Sequence, residues 1–214
     1  MHTFRKLLSM SSAVGFTLML TACGSSGETI YNNNNLQGWT IFTDPTSSAT
    51  PSDVFKAKND VIEVSGKPFG YIRTNKQYAD YRLTVEWRWT DGKGSNSGIF
   101  QRLQPGDKLW PTGVECQLQA GHAGDFIGLG GASIEGSDAN AKFPKKPRSI
   151  RQDPEKPAGQ WNKAEIICRG THVTVMINGI KVNETNTTLR QGYIALQSEG
   201  GPLQFRNIRI RPLK

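Results

Sequence analysis

Arg82-Leu83-Thr84-Val85-Glu86-Trp87-Arg88-Trp89 places an apolar side chain at every second position. Successive side chains of a strand point to opposite faces, so this octapeptide reads as a strand with one face in a core and a polar face outside. The same period of two runs through residues 161–169, 172–177 and 193–197. Asn178-Gly179 separates Val173-Thr174-Val175-Met176-Ile177 from Ile180-Lys181-Val182, a hairpin turn signal. Near the C-terminus Leu203 and Phe205 share one phase and Ile208 and Ile210 the other, a slip that predicts a bulge at Arg206-Asn207. No stretch keeps a helical period. Many short strands between Gly, Asn, Asp and Pro clusters predict an all-β antiparallel sandwich. Residues 121–159, rich in Gly, Pro and charge, show little alternation and read as a long functional loop.

The N-terminus carries a different signal. Arg5 and Lys6 precede a short apolar stretch from Ala13 to Leu20, and Leu20-Thr21-Ala22-Cys23 follows. This is the layout of an export signal, too short for a stable bilayer span, with a cysteine placed for lipid attachment. The expected organisation is a signal over residues 1–22, a lipidated Cys23 with a flexible tether over 23–30, and a single domain over 31–214. The protein is then exported and held by lipid at a bacterial envelope membrane, facing the periplasm, with no other membrane contact. The formal net charge of +8 falls to about +6 once Arg5 and Lys6 leave with the signal. Its one dense basic run, Lys142-Phe143-Pro144-Lys145-Lys146-Pro147-Arg148, reads as a surface loop, and nucleic acid is not an expected partner. Cys116 and Cys168 fall on apolar phases and are expected as buried free thiols; no cysteine or histidine cluster suggests zinc.

Several segments resemble one family when taken in order: Leu36-Gln37-Gly38-Trp39, Asn96-Ser97-Gly98-Ile99-Phe100, Gly113-Val114-Glu115-Cys116-Gln117-Leu118, Lys156-Pro157-Ala158-Gly159-Gln160-Trp161-Asn162, and Leu196-Gln197-Ser198-Glu199-Gly200-Gly201-Pro202 with Phe205-Arg206-Asn207-Ile208. The chain resembles the 3-keto-disaccharide hydrolases, also described as 3-keto-glucoside lyase/hydratase domains, over nearly all of the mature sequence. The resemblance implies a concanavalin/laminin-G-like jelly roll of two curved antiparallel sheets, with a ligand site on the concave face. It also implies a substrate sugar oxidised at C3. Fold follows more firmly than reaction from such a likeness.

Within Val114-Glu115-Cys116-Gln117-Leu118-Gln119, alternation sends Val114, Cys116 and Leu118 to one face and Glu115, Gln117 and Gln119 to the other. Pattern alone fits an ordinary solvent-facing strand; the resemblance makes Glu115 catalytic and Gln117 sugar-binding. Glu199, in a glycine-rich turn, is the second catalytic candidate, at a position where some family members carry histidine. The resemblance places Asn96 and Ser97 beside the sugar. Trp110 offers an indole for stacking on a pyranose face or for the rim of the core. His122 and Asp125 open the glycine-rich loop and complete the candidate binding set.

A ketone at C3 acidifies the C2 proton, because the resulting carbanion is delocalised as an enolate. The anomeric oxygen can then leave by elimination, and addition of water completes a net hydrolysis. That chemistry needs a base, a stabiliser for the enolate oxygen and an acid for the leaving group. Glu115 or Glu199 is the expected base, with Gln117, Asn96 or a divalent cation polarising the ketone; the sequence itself requires no cofactor. Two other classes use the same residues differently: a non-catalytic lectin-like carbohydrate-binding lipoprotein, and a structural envelope lipoprotein.

Overall fold

The computed structural model describes residues 27–31 and 35–214. The export signal, Cys23 and residues 32–34 lie outside them. In chain order the strands are β1 (Glu28–Thr29), β2 (Trp39–Thr43), β3 (Phe55–Lys58), β4 (Val61–Val64), β5 (Gly70–Thr74), β6 (Tyr81–Trp89) and β7 (Gly98–Leu103). They continue as β8 (Gly113–Gln117), β9 (Phe126–Leu129), β10 (Lys145–Lys146), β11 (Asn162–Arg169), β12 (His172–Ile177), β13 (Ile180–Asn186), β14 (Tyr193–Ser198) and β15 (Leu203–Pro212). One helical turn, α1 (Pro51–Val54), precedes β3.

The strands form two antiparallel sheets. Sheet A runs β13-β12-β11-β6-β15-β4-β3, with β1 added on β15, and sheet B runs β10-β9-β8-β7-β14-β5-β2. This is the two-sheet sandwich that the alternation predicts. Strand β6 lies inside sheet A between β11 and β15. Its apolar phase, Leu83, Val85, Trp87 and Trp89, is buried in the main core with Ile166, Cys168, Val173 and Val175 of neighbouring strands. From sheet B the same core receives Ile72, Ile99, Val114, Cys116, Phe126, Ile194 and Leu196. Cys116 and Cys168 are buried free thiols.

The turn and the bulge both form. Asn178 and Gly179 have φ of 51° and 84°, the left-handed pair that a two-residue hairpin of this twist requires. Asn178 also accepts the Lys163 N–H at 2.9 Å and donates to the Pro154 carbonyl at 2.8 Å. Asn178→Ala is therefore expected to cost about 1–2 kcal/mol in urea unfolding, from a strained φ and lost hydrogen bonds. The register of β15 shifts between Arg206 and Arg209, with Asn207 at φ 50°. That extra residue lets Leu203, Phe205, Ile208 and Ile210 all reach the core.

Three expectations need correction. The folded domain begins before residue 31: Glu28 and Thr29 pair with Ile210 and Arg209, because the exposed edge beside the C-terminal half of β15 takes one more strand. Residues 121–159 are not one loop, since β9 and β10 lie within them and complete sheet B. The basic run there is tied down rather than presented: Lys145 pairs with Asp125 at 3.0 Å, Lys146 donates to the Glu184 carbonyl, and Arg148 pairs with Asp153 at 3.1 Å.

The third concerns exposure. Strands of sheet A alternate between buried and partly exposed positions, whereas β7 and β8 are buried at every position. A second apolar cluster, of Tyr71, Phe100, Leu103, Leu129 and Ala195, covers the outward face of sheet B. Phe42, Ile127, Phe143 and Tyr193 flank it. The strand bearing Glu115 is thus enclosed on both faces.

Candidate functional site

Register determines which side chains meet on that outward face. Ile99, Cys116 and Phe126 are paired neighbours that point into the core, so Phe100, Glu115 and Ile127, each one residue away, point outward in a second row. The next outward row holds Gln117 opposite Gly98. Gln197 pairs with outward-facing Tyr71, and Glu199, two residues on, bridges to Asn96. Glu115, Gln117, Gln197, Glu199 and Asn96 therefore gather on one sheet face from β8, β14, the turn after β14 and the residues just before β7.

Gly98 makes room for the first of them. A Cβ added there would lie 2.0 Å from Glu115 Oε1 and 2.8 Å from its carboxyl carbon. The Glu115 side chain folds into the space that any other residue would fill. Its exposure is only 3%, and Oε1 has no hydrogen-bond partner among the described residues. Burial pushes the Glu115 carboxyl well above the usual range, and the neighbouring Glu199 charge pushes it further. Glu199 is half-buried, and burial raises it too, but amides of Gln197 and Asn96 hydrogen-bond its carboxylate and oppose that rise. The Gln197 Nε2 bond to Glu199 Oε2 is 2.8 Å. Both carboxyls are therefore raised, Glu115 by burial and the Glu199 charge, and Glu199 by a burial that its two amide partners only partly offset.

The remaining candidates divide. Gln117 is in place, but its Oε1 accepts the backbone N–H groups of Leu118 and Gln119 at 3.0 Å each, leaving its amide NH2 for other partners. Gln119 is exposed at the strand end. Ser97 is corrected: it has the core-facing phase of Ile99, is fully buried, and donates to the Gln197 carbonyl at 2.8 Å. It ties β7 to β14 rather than meeting a ligand. Asp125 is likewise a fastening: it accepts the Arg148 N–H at 2.7 Å and pairs with Lys145. His122 is exposed, with Nδ1 3.5 Å from Asp125. Trp110 is 37% exposed, with its ring 4.4 Å from Phe69 and 5.1 Å from Phe143. Sequence reasoning passed over Gln197 and Gly98, although both lie in the segments that carry the resemblance. Counting two back from Glu199 and two back from Phe100 would have put them on the same face.

Three oxygens here lack a donor among the described residues: Glu115 Oε1, Gln197 Oε1 and Asn96 Oδ1. Leaving buried acceptors unpaired is costly, so the cluster is built for something that supplies donors or positive charge. Sugar hydroxyls do the first and a hard divalent cation the second. No three His, Cys, Asp or Glu side chains gather as a metal site among the described residues.

A family model described as a 3-keto-alpha-glucoside-1,2-lyase-like domain matches residues 27–211. The chain belongs to this family. No curated protein matches it. Among solved structures, this 3-keto-glucoside lyase-like chain is similar to a Parabacteroides distasonis protein provisionally described as a glycosyl hydrolase, at 20% identity and TM-score 0.59, covering 82% of this chain and 99% of that one. It is also similar to the carbohydrate-binding module CBM66 of Bacillus subtilis, at 13% identity and TM-score 0.59, covering 83% and 97%. A third is LamA of Zobellia galactanivorans, solved with laminaritriose and laminaritetraose, at 9% identity and TM-score 0.55, covering 85% and 95%. At these identities the likeness shows the fold. With the family it makes the chain a sugar-processing domain on a jelly-roll sandwich.

Proposed function

We propose that this domain cleaves 3-keto-glycosides by proton abstraction at C2, elimination of the C1 substituent and hydration. The observation that carries the reading is the buried Glu115 carboxyl, seated in the space that Gly98 leaves, with the amide-bonded Glu199 as its charged neighbour. Glu199, whose carboxylate accepts hydrogen bonds from the Gln197 and Asn96 amides, takes the C2 proton. The electron pair enters the C3 carbonyl as an enolate and returns to expel the C1 oxygen, which Glu115 protonates. Water then adds its hydroxyl to C1 and its hydrogen to C2 of the unsaturated sugar. The NH2 of Gln117 would stabilise the enolate oxygen. This chemistry does not need the carboxylate pair astride an oxocarbenium centre that ordinary glycosidases use.

The test is to incubate purified protein with a 3-keto-disaccharide and follow release of its two halves. Glu199→Gln is expected to lower kcat/KM about a hundredfold. Activity that survives both Glu199→Gln and Glu115→Gln would discard the assignment.

A non-catalytic binding role is the second reading, favoured by the buried unpaired acceptors, which would serve a captured sugar equally well. Calorimetry separates the two: equal affinity for ordinary and 3-keto sugars without turnover selects the binding module. Export and lipidation at Cys23 belong to the same proposal. Radiolabelled palmitate incorporation that is lost in Cys23→Ser is the expected result.

A further inference from the structure

The polar groups occupy one side of the outward face of sheet B, and three aromatic rings occupy the other. Phe69 precedes Gly70, which pairs with Ser198, so it shares the outward phase of Tyr71 one step from Glu199. Its ring meets Trp110 at 4.4 Å, and Trp110 meets Phe143 at 5.1 Å. Phe143 and Ile127 both pack against the cluster that contains Phe100, and Phe100 and Ile127 are the two residues in register with Glu115. The rings thus form an arc from the flank of Glu199 to the flank of Glu115. The residues beneath it, Tyr71, Phe100 and Ala195, are fully buried.

Trp110 is the most exposed large hydrophobic in this arc, one of two such residues among those described. An indole left more than a third open between two phenyl rings presents an apolar surface that water solvates poorly. The ring planes are tilted by 47° and 61° to their neighbours, so the three rings do not form one flat plate. A glycoside reacting between Glu199 and Glu115 would turn its ketone and hydroxyls to the amides and carboxyls. Its C1 substituent would then extend over the apolar floor.

We propose that the Phe69-Trp110-Phe143 row of rings is the leaving-group subsite, and that it takes a ring with an apolar face. Such a face is offered by an aryl aglycone or by a second pyranose. The assignment rests on the cleavage reading above, and its test is chosen so that the two fail separately.

The experiment compares methyl, phenyl and glucosyl 3-keto-glucosides on purified wild-type protein, Trp110→Ala and Trp110→Phe. Trp110→Ala is expected to lower the kcat/KM preference for a ring-bearing substrate over the methyl glycoside about tenfold, with Trp110→Phe restoring most of it. The substrate whose preference collapses, phenyl or glucosyl, identifies the source of the ring. A loss equal for all three substrates, or no loss, overturns the subsite. If wild-type protein turns over none of them, the cleavage reading fails and the subsite is judged by binding. Trp110-dependent preference for the phenyl over the methyl compound then upholds it, and equal affinity overturns it. Phe143→Leu repeats the comparison should Trp110→Ala unfold.

Discussion

Glu115→Gln is expected to lower kcat/KM on a 3-keto-disaccharide by about 10³ while making the protein more stable at pH 7. The loss follows from removing the proton given to the departing oxygen, a contribution in the usual range for general acid catalysis. A sugar alkoxide is a poor leaving group, so the loss should shrink when the C1 substituent is a nitrophenol, which departs without help. The gain follows from linkage. Burial and the Glu199 charge raise the Glu115 pKa in the folded protein above its unfolded value of about 4.3. The folded state therefore prefers the protonated carboxyl. Its contribution to stability is complete below about pH 4.3 and is lost as pH rises through the raised folded pKa. Glutamine never ionises, so the variant's melting temperature should exceed wild type at pH 7, and the difference should vanish towards pH 4. A variant that is both inactive and less stable at pH 7 would contradict the picture of a carboxyl held protonated by its surroundings.

Gly98→Ala is the second large effect. Gly98 does not have a left-handed φ, so backbone freedom is not the reason for glycine here. The reason is space, since the new methyl would meet Glu115 Oε1 at 2.0 Å and the Glu115 Cγ at 2.9 Å. Glu115 is enclosed and cannot swing into solvent, so either its rotamer or the β7–β8 pairing must give. Overpacking of this kind costs about 1–3 kcal/mol. A catalytic group moved by an ångström loses about a hundredfold in rate. Chemical denaturation together with steady-state kinetics should show both effects. In the Glu115→Gln background the stability cost should persist, because the amide occupies the same volume, whereas little further activity remains to be lost.

The sequence was most informative where one face of a strand meets solvent. Strand β6 could be read directly because Arg82, Thr84, Glu86 and Arg88 face outward from sheet A between buried neighbours. The Asn178-Gly179 turn and the slip at Arg206-Asn207 were readable because each needs particular backbone conformations. Strand β9, Phe126–Leu129, was not, because its outward side is covered and Gly128 packs where a Cβ would touch the Ala132 carbonyl at 2.2 Å. Both faces of such a strand are enclosed, so no alternation remains to be seen. The same cause hid the environment of the candidate site. Glu115 and Gln117 were assigned to the correct face, yet the residues that flank Glu115 in its row, Phe100 and Ile127, come from two other strands. Ser97 was assigned to the wrong side, because the resemblance names a segment and only register assigns its side chains to a face.

The second apolar cluster on sheet B has a further consequence. Outward positions of β6 in sheet A carry partly exposed pairs such as Arg82–Glu165 and Glu86–Arg206, whose exchange for other polar residues costs the fold little. On sheet B the outward residues both seal the sandwich and surround the carboxyl pair, so two selective demands fall on the same side chains. Diversification towards new ligands would then come mainly from the segments that overhang this face, those bearing Trp110 and Phe143, while the floor beneath them stays constant.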